Sequence, residues 1–121
     1  MESFVRQRVL VCGGRDYTNE KMAFAILDAA HAANPIIEVI HGACAGADML
    51  AEMWANQRSI PTRPFPADWD THGKAAGPIR NRKMLDVGKP DIVIAFPGGR
   101  GTRNMIEQAE GANIPVARIK K

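Results

Sequence analysis

The 121-residue chain has two cysteines, Cys12 and Cys44, and only seven aromatic residues. Two thiols do not make a disulfide framework, and in a reducing compartment they are expected to stay free. Seven aromatics are too few to fill a core and also line an extended stacking groove for single-stranded DNA. No apolar run approaches the ~20 residues of a membrane helix, because DIVIAF and RVLVC are only strand-length. The N-terminal MESFVRQR has no signal-peptide core, so the expected compartment is the cytoplasm, with no membrane partner. His31, His41 and His72 lack ligand-like spacing and no CxxC or HxxE occurs, so neither a metal nor another cofactor is expected. A Ser–His–Asp triad is disfavoured, since Ser3 lies in the N-terminal arm and Ser59 at a helix end. Charge of one sign is also scarce: the net charge of +3 suits an anionic ligand without demanding nucleic acid.

What is present is a regular alternation of apolar runs and helical stripes. RVLVCGG (8–14), IIEVIHG (36–42), IPTRPFPA (60–67), DIVIAF (91–96) and IPVARI (114–119) read as strands. The three prolines of the third confine it to a short strand near an edge. Between them, Thr18 or Asn19 can cap a helix that buries Met22, Ile26, Ala30 and Ala33. A second helix aligns Leu50, Trp54 and Arg58, and a later one places Met105, Ala109 and Ala112 on one face. Strands that lack polar alternation and are joined by helices form a parallel sheet covered on both faces. The expectation is an α/β fold: a single Rossmann-like domain over residues 8–119, with about five mostly parallel strands flanked by helices. Residues 1–7 form an arm and 120–121 a basic tail.

Three glycine-bearing loops, GGRD (13–16), GACAGAD (42–48) and PGGRGT (97–102), each follow a strand and open toward a helix. In a parallel sheet all three lie at the strands' carboxyl ends, where such folds bind ligands. Glycine admits close backbone approach, and a helix N-terminus offers free N–H groups to an anion. The loops are neither GxGxxG nor a Walker A sequence, because no Lys precedes the Thr. That disfavours ordinary dinucleotide dehydrogenases and P-loop NTPases.

The stretch ADWDTHGKAAGPIRNRKML (67–85) barely looks like core. Its second half can form a helix with Pro78 in the first turn and Ile79 and Leu85 for packing, placing Arg80 and Asn81 near the ligand edge. Arg offers a planar fork to phosphate or carboxylate, and Asn can read a ribose or base edge. The preceding loop is expected to wall or cover the pocket, with Trp69 and Tyr17 as candidate stacking residues.

GGRDY, HGACAGAD, ADWDTHGKAAGPIRNRKM and FPGGRGT, in this order over about residues 8–118, resemble the SLOG superfamily, specifically its YspA/YpsA-related small stand-alone domains. More distant relatives are the LOG phosphoribohydrolases and the Rossmann-like domain of DNA-processing protein A. The resemblance implies a Rossmann-like sheet with a site for nucleotides or nucleotide-derived ligands. Its ligand loops fall on Gly13, Gly14, Arg15 and Asp16; on Gly42, Gly46 and Asp48; and on Pro97, Gly98, Gly99, Gly101 and Thr102. Its helix motif falls on Arg80 and Asn81. The second loop often reads GGARGAD in this group, so Ala43 and Ala45 are departures that remove one phosphate or ribose contact. The LOG enzymes carry PGGxGTxxE, whereas Met105 stands at the Glu position here. Glu107 lies two residues on, roughly 200° around the helix, and cannot simply substitute.

Three readings follow. In the first the protein binds a nucleotide or nucleotide-derived ligand as a sensor or sequestering module. In the second it is an N-glycoside hydrolase of the phosphoribohydrolase kind, with Asp48 and Asp16 as its candidate catalytic carboxylates. Single-stranded DNA binding ranks third. A homodimer or higher homo-oligomer is expected, as among the LOG relatives.

Overall fold

A computed structural model describes residues 6–120; the rest of the N-terminal arm, Ser3 included, and Lys121 lie outside the described residues. The sheet has five strands, all parallel: β1 (Gln7–Cys12), β2 (Ile36–His41), β3 (Thr62–Pro64), β4 (Ile92–Ala95) and β5 (Val116–Arg118), in the order β3-β2-β1-β4-β5. The helices are α1 (Glu20–Ala33), α2 (Ala47–Gln57), the single turn α3 (Trp69–His72), α4 (Ala76–Lys83) and α5 (Arg100–Gly111). The expected α/β Rossmann-like domain is therefore the fold observed. β3, which ends on Pro64, lies at one edge of the sheet, where the missing Pro64 N–H costs no ladder bond.

Side chains of β1 alternate between two cores. Val9 and Val11 pack with Leu27, Val39, Trp54 and Phe96 on the face covered by α1 and α2. Leu10 and Cys12 pack with Ile40, Met84, Leu85, Met105 and Ala109 on the opposite face, beneath α4 and α5. Two apolar faces on one strand explain why the strand sequences carry no polar alternation.

The helix faces differ in part from expectation. Asn19 does cap α1, its Oδ1 accepting from the Met22 N–H at 3.1 Å. The buried stripe, however, runs through Ala23 and Leu27, one residue beyond the expected face, and leaves Met22 exposed. On α5, Met105 and Ala109 are buried while Ala112 is the exposed C-cap. In α4 the buried positions are Ala76, Gly77 and Asn81; Ile79 faces outward, and Leu85 packs as expected. α4 then continues into a π-helical turn, Met84–Gly88, that brings Met84, Leu85 and Gly88 all against the sheet. Lys89 ends it in the left-handed region (φ 51°), its N–H donating to the Leu85 carbonyl at 3.1 Å. No helix among the described residues is long and apolar enough to cross a membrane.

Candidate functional site

The strand order reverses between β1 and β4, and the loops after those two strands flank the crevice there. The loops are stitched to one another through Gly14. Its N–H donates to the Pro97 carbonyl at 2.8 Å, and its carbonyl accepts from the Ala47 and Tyr17 N–H groups, each at 3.2 Å. Gly46 closes the second loop in the left-handed region (φ 76°), so near Gly14 and Arg15 that a Cβ would collide with their backbones. Glycine is required here on both counts.

Against these loops lies a cavity of about 520 Å³. Of the residues singled out from the sequence, Gly13, Gly14, Arg15, Gly42, Asp48, Trp69, Arg80, Asn81, Gly99, Gly101 and Thr102 line it. Asp16, Gly46, Pro97 and Gly98 do not. Asp16, Pro97 and Gly98 border a second depression of about 640 Å³ on the far side of the 13–16 loop, where Tyr17 and Lys120 also lie. Sequence reasoning missed Cys12, Cys44, Lys74, Gly77, Asn104 and Met105, all in the main wall. Met105 fills the position of the LOG glutamate and is buried, while Glu107 faces a different depression.

The loop at 67–75 is largely helical: α3 and a 3-10 turn (Gly73–Ala75) form the cavity wall. Asp68 caps α3, its Oδ1 accepting from the Thr71 N–H at 3.1 Å, and the Thr71 side chain first, then this N–H, hold the Asp68 carboxyl below its ordinary pKa. Trp69 remains about half exposed, with the Arg15 guanidinium 5.8 Å from its ring centroid.

Arg80 joins three elements. Its Nη1 donates to the Gly42 carbonyl at 2.6 Å and to the Phe65 carbonyl at 3.5 Å, and its Nε donates to Asn81 Oδ1 at 2.9 Å. Buried Asn81 donates in turn to the Gly101 carbonyl (3.3 Å) and Asn104 Oδ1 (3.1 Å), tying α4 to the first turn of α5.

Asp48, in the first turn of α2, accepts through Oδ2 from the N–H groups of Gly42 (3.0 Å) and Cys44 (3.2 Å). Burial raises its pKa; the Cys44 bond, His41, Arg80 and the Gly42 bond pull the other way. His41 is buried and supports the same loop. Its Nδ1 accepts from the Ala43 N–H at 3.0 Å, so its Nε2 carries the proton given to Glu52 Oε1 at 2.7 Å. That bond leads the causes that depress the Glu52 pKa. Cys12 is pushed up to about 12, first by burial and then by Asp48, which keeps it a neutral thiol. Both cysteines are free.

Four cationic side chains (Arg15, Lys74, Arg80 and Arg100) line the cavity against one carboxylate, Asp48. α5 begins at Gly99 with no side-chain cap on its N-terminal N–H groups. A positively biased hollow at an uncapped helix N-terminus suits an anion. No group of three or more His, Cys, Asp or Glu among the described residues could hold a metal ion.

No solved structure matches the chain. The Gene 61 protein of Mycobacterium phage D29 is 38% identical over 118 residues, a match that covers 91% of this chain and 94% of that protein. The family model of the YspA, cpYpsA-related SLOG family (YAcAr) matches residues 7–72, which hold the first two glycine loops and Trp69. The chain therefore belongs to the YspA, cpYpsA-related SLOG family.

Proposed function

We propose that the protein binds a nucleotide or nucleotide-derived ligand in the main cavity without cleaving it, as a sensor or sequestering module. The observation that carries this reading is the combination of a cavity of about 520 Å³ with four lining cations and the uncapped N-terminus of α5. Hollows of ~300–1,000 Å³ accommodate ligands of nucleotide size. The phosphate belongs at Gly99–Thr102, where the first N–H groups of α5 are free to donate. The base belongs against Trp69, the one aromatic side chain of the cavity wall among the described residues.

Hydrolysis of an N-glycosidic bond asks for a carboxylate near the anomeric carbon. Asp48 is the one carboxylate lining this cavity among the described residues, and one of its oxygens already holds two backbone N–H groups. Asp16 borders the other depression. The geometry thus favours binding over cleavage.

The test is a thermal-shift series with AMP, ADP, ATP, ADP-ribose, NAD and inorganic phosphate, followed by chromatography for released base. A ligand at 100 times its Kd stabilises by about 2.7 kcal/mol, a shift of several degrees in a domain of this size. Arg15→Ala and Arg100→Ala should each weaken nucleotide binding about tenfold or more, with the base left attached. Absence of any shift would overturn the reading; released base would replace it with the hydrolase, Asp48 at its centre.

A further inference from the structure

We infer that Asn104, a residue outside every glycine loop, reads the sugar of the bound nucleotide and selects ribose over 2′-deoxyribose. The inference rests on the nucleotide reading above and adds what part of the ligand is discriminated, and by which atom.

Three side-chain amides, those of Asn81, Asn104 and Gln108, fix one another's orientation. The Arg80 Nε–H can only donate, and it lies 2.9 Å from Asn81, so the Asn81 atom facing it is the oxygen. The Gly101 carbonyl can only accept, and it lies 3.3 Å from the other end of Asn81, which is therefore the NH₂ group. That NH₂ also faces Asn104 at 3.1 Å, so Asn104 presents its oxygen there.

A second anchor agrees. Gln108 turns its NH₂ to the Pro78 carbonyl at 3.1 Å, an acceptor without a proton, and the same NH₂ lies 2.8 Å from Asn104 Oδ1. Two donors fixed from opposite sides hold the oxygen of Asn104. Its own NH₂ has no partner among the described residues, and Asn104 is in the cavity wall. The relay therefore leaves two oriented N–H donors for a ligand acceptor.

Position along α5 indicates which acceptor. Asn104 follows Gly101 by three residues, on the same side of the helix and about 4.5 Å further along its axis. With the phosphate at the helix N-terminus, that displacement reaches the adjoining sugar. The base lies beyond it, toward Trp69. We place the 2′-hydroxyl there: its oxygen accepts from the amide, and a 2′-deoxy sugar, which keeps only its 3′-hydroxyl, offers no atom at that position.

Calorimetric titration of 5′-AMP, 5′-dAMP and inorganic phosphate tests this, on the wild type, Asn104→Leu and Gln108→Leu. One neutral hydrogen bond predicts that wild type prefers AMP to dAMP by roughly 5- to 10-fold. In Asn104→Leu the ratio should fall to about one while phosphate affinity stays within twofold of wild type. Gln108→Leu loosens the Asn104 oxygen and should reduce the ratio without abolishing it.

Equal binding of AMP and dAMP by the wild type overturns the inference and needs no variant. An unchanged ratio in Asn104→Leu also overturns it, as does a parallel loss of phosphate affinity, which would make Asn104 only a brace between helices. If the wild type binds none of the three, the nucleotide reading fails and this inference falls with it.

Discussion

At the scale of single residues, Asp48 shows how a side chain can line a site while serving mainly to build it. Its Oδ2 holds two N–H groups of the 42–48 loop that have no other role in the sheet. Asp48→Ala would orphan both, and leaving a buried donor unpaired costs about 1–3 kcal/mol. Asp48→Asn keeps an oxygen to accept them and removes a buried charge. The two substitutions should thus differ sharply, with Ala strongly destabilising and Asn close to neutral. The pH dependence separates them further. Because burial raises the Asp48 pKa, the native protein holds this proton at pH values where the unfolded chain, near the ordinary aspartate value of about 3.9, has released it. The Asp48 contribution to stability therefore declines as pH rises from about 4 through the raised value and is flat above it. Asn has no such slope, so the stability of Asp48→Asn relative to wild type should increase over that window. Urea denaturation between pH 3.5 and 8 measures it, and a pH-independent difference would mean that folding leaves the Asp48 pKa unshifted.

At the scale of elements, the strands were legible as apolar runs, and the three glycine loops because three of those runs end in glycine-bearing turns. The α4 segment was less legible. The stripe that α4 buries contains Gly77 and Asn81, with Ile79 turned outward, and a search for apolar spacing finds no such stripe. Asn104 was hidden for a related reason. It sits inside an amphipathic helix, and only its i, i+3 relation to Gly101 hints that it shares the cavity side. Ala43 was noted as a departure from glycine, but its left-handed backbone (φ 60°) was not legible from sequence. The Arg80 contacts likewise arise from tertiary packing, and they make a prediction. A methyl group on Gly42 would fall on the Arg80 guanidinium, 2.8 Å from Cζ. Gly42→Ala should therefore displace Arg80 and release α4 from the ends of β2 and β3. In an Arg80→Ala background that collision is removed, and the same methyl should cost far less. A double-mutant cycle on thermal stability is expected to give a coupling of about 1–3 kcal/mol; additive losses would place the Gly42 requirement elsewhere in its loop.

At the scale of the whole molecule, the arrangement of charge and aromatics distinguishes a small ligand from a strand of DNA. The cations Arg15, Lys74, Arg80 and Arg100 converge on one walled hollow and do not track along a groove. Trp54 and Phe96 are fully packed in the core and Phe65 is buried, so consecutive stacking platforms for a strand are missing among the described residues. These two facts predict different salt dependences. A single strand that engaged all four cations would release counterions with a slope near −0.7 per contact, losing about 50-fold in affinity between 50 and 200 mM salt. A nucleotide held in the cavity is screened less, because its charge is partly withdrawn from solvent, and it brings no condensed counterion atmosphere to release. Its affinity should fall by less than about fivefold over the same range. Titrating 5′-AMP and a fluorescent 12-nucleotide oligomer at both salt concentrations decides between them. Weak salt dependence with AMP, and displacement of the oligomer only by excess AMP at low salt, fits the cavity. Tighter binding of the oligomer with the steep slope would show that these cations serve a polymer backbone, and that the hollow at the sheet edge is one station along its path.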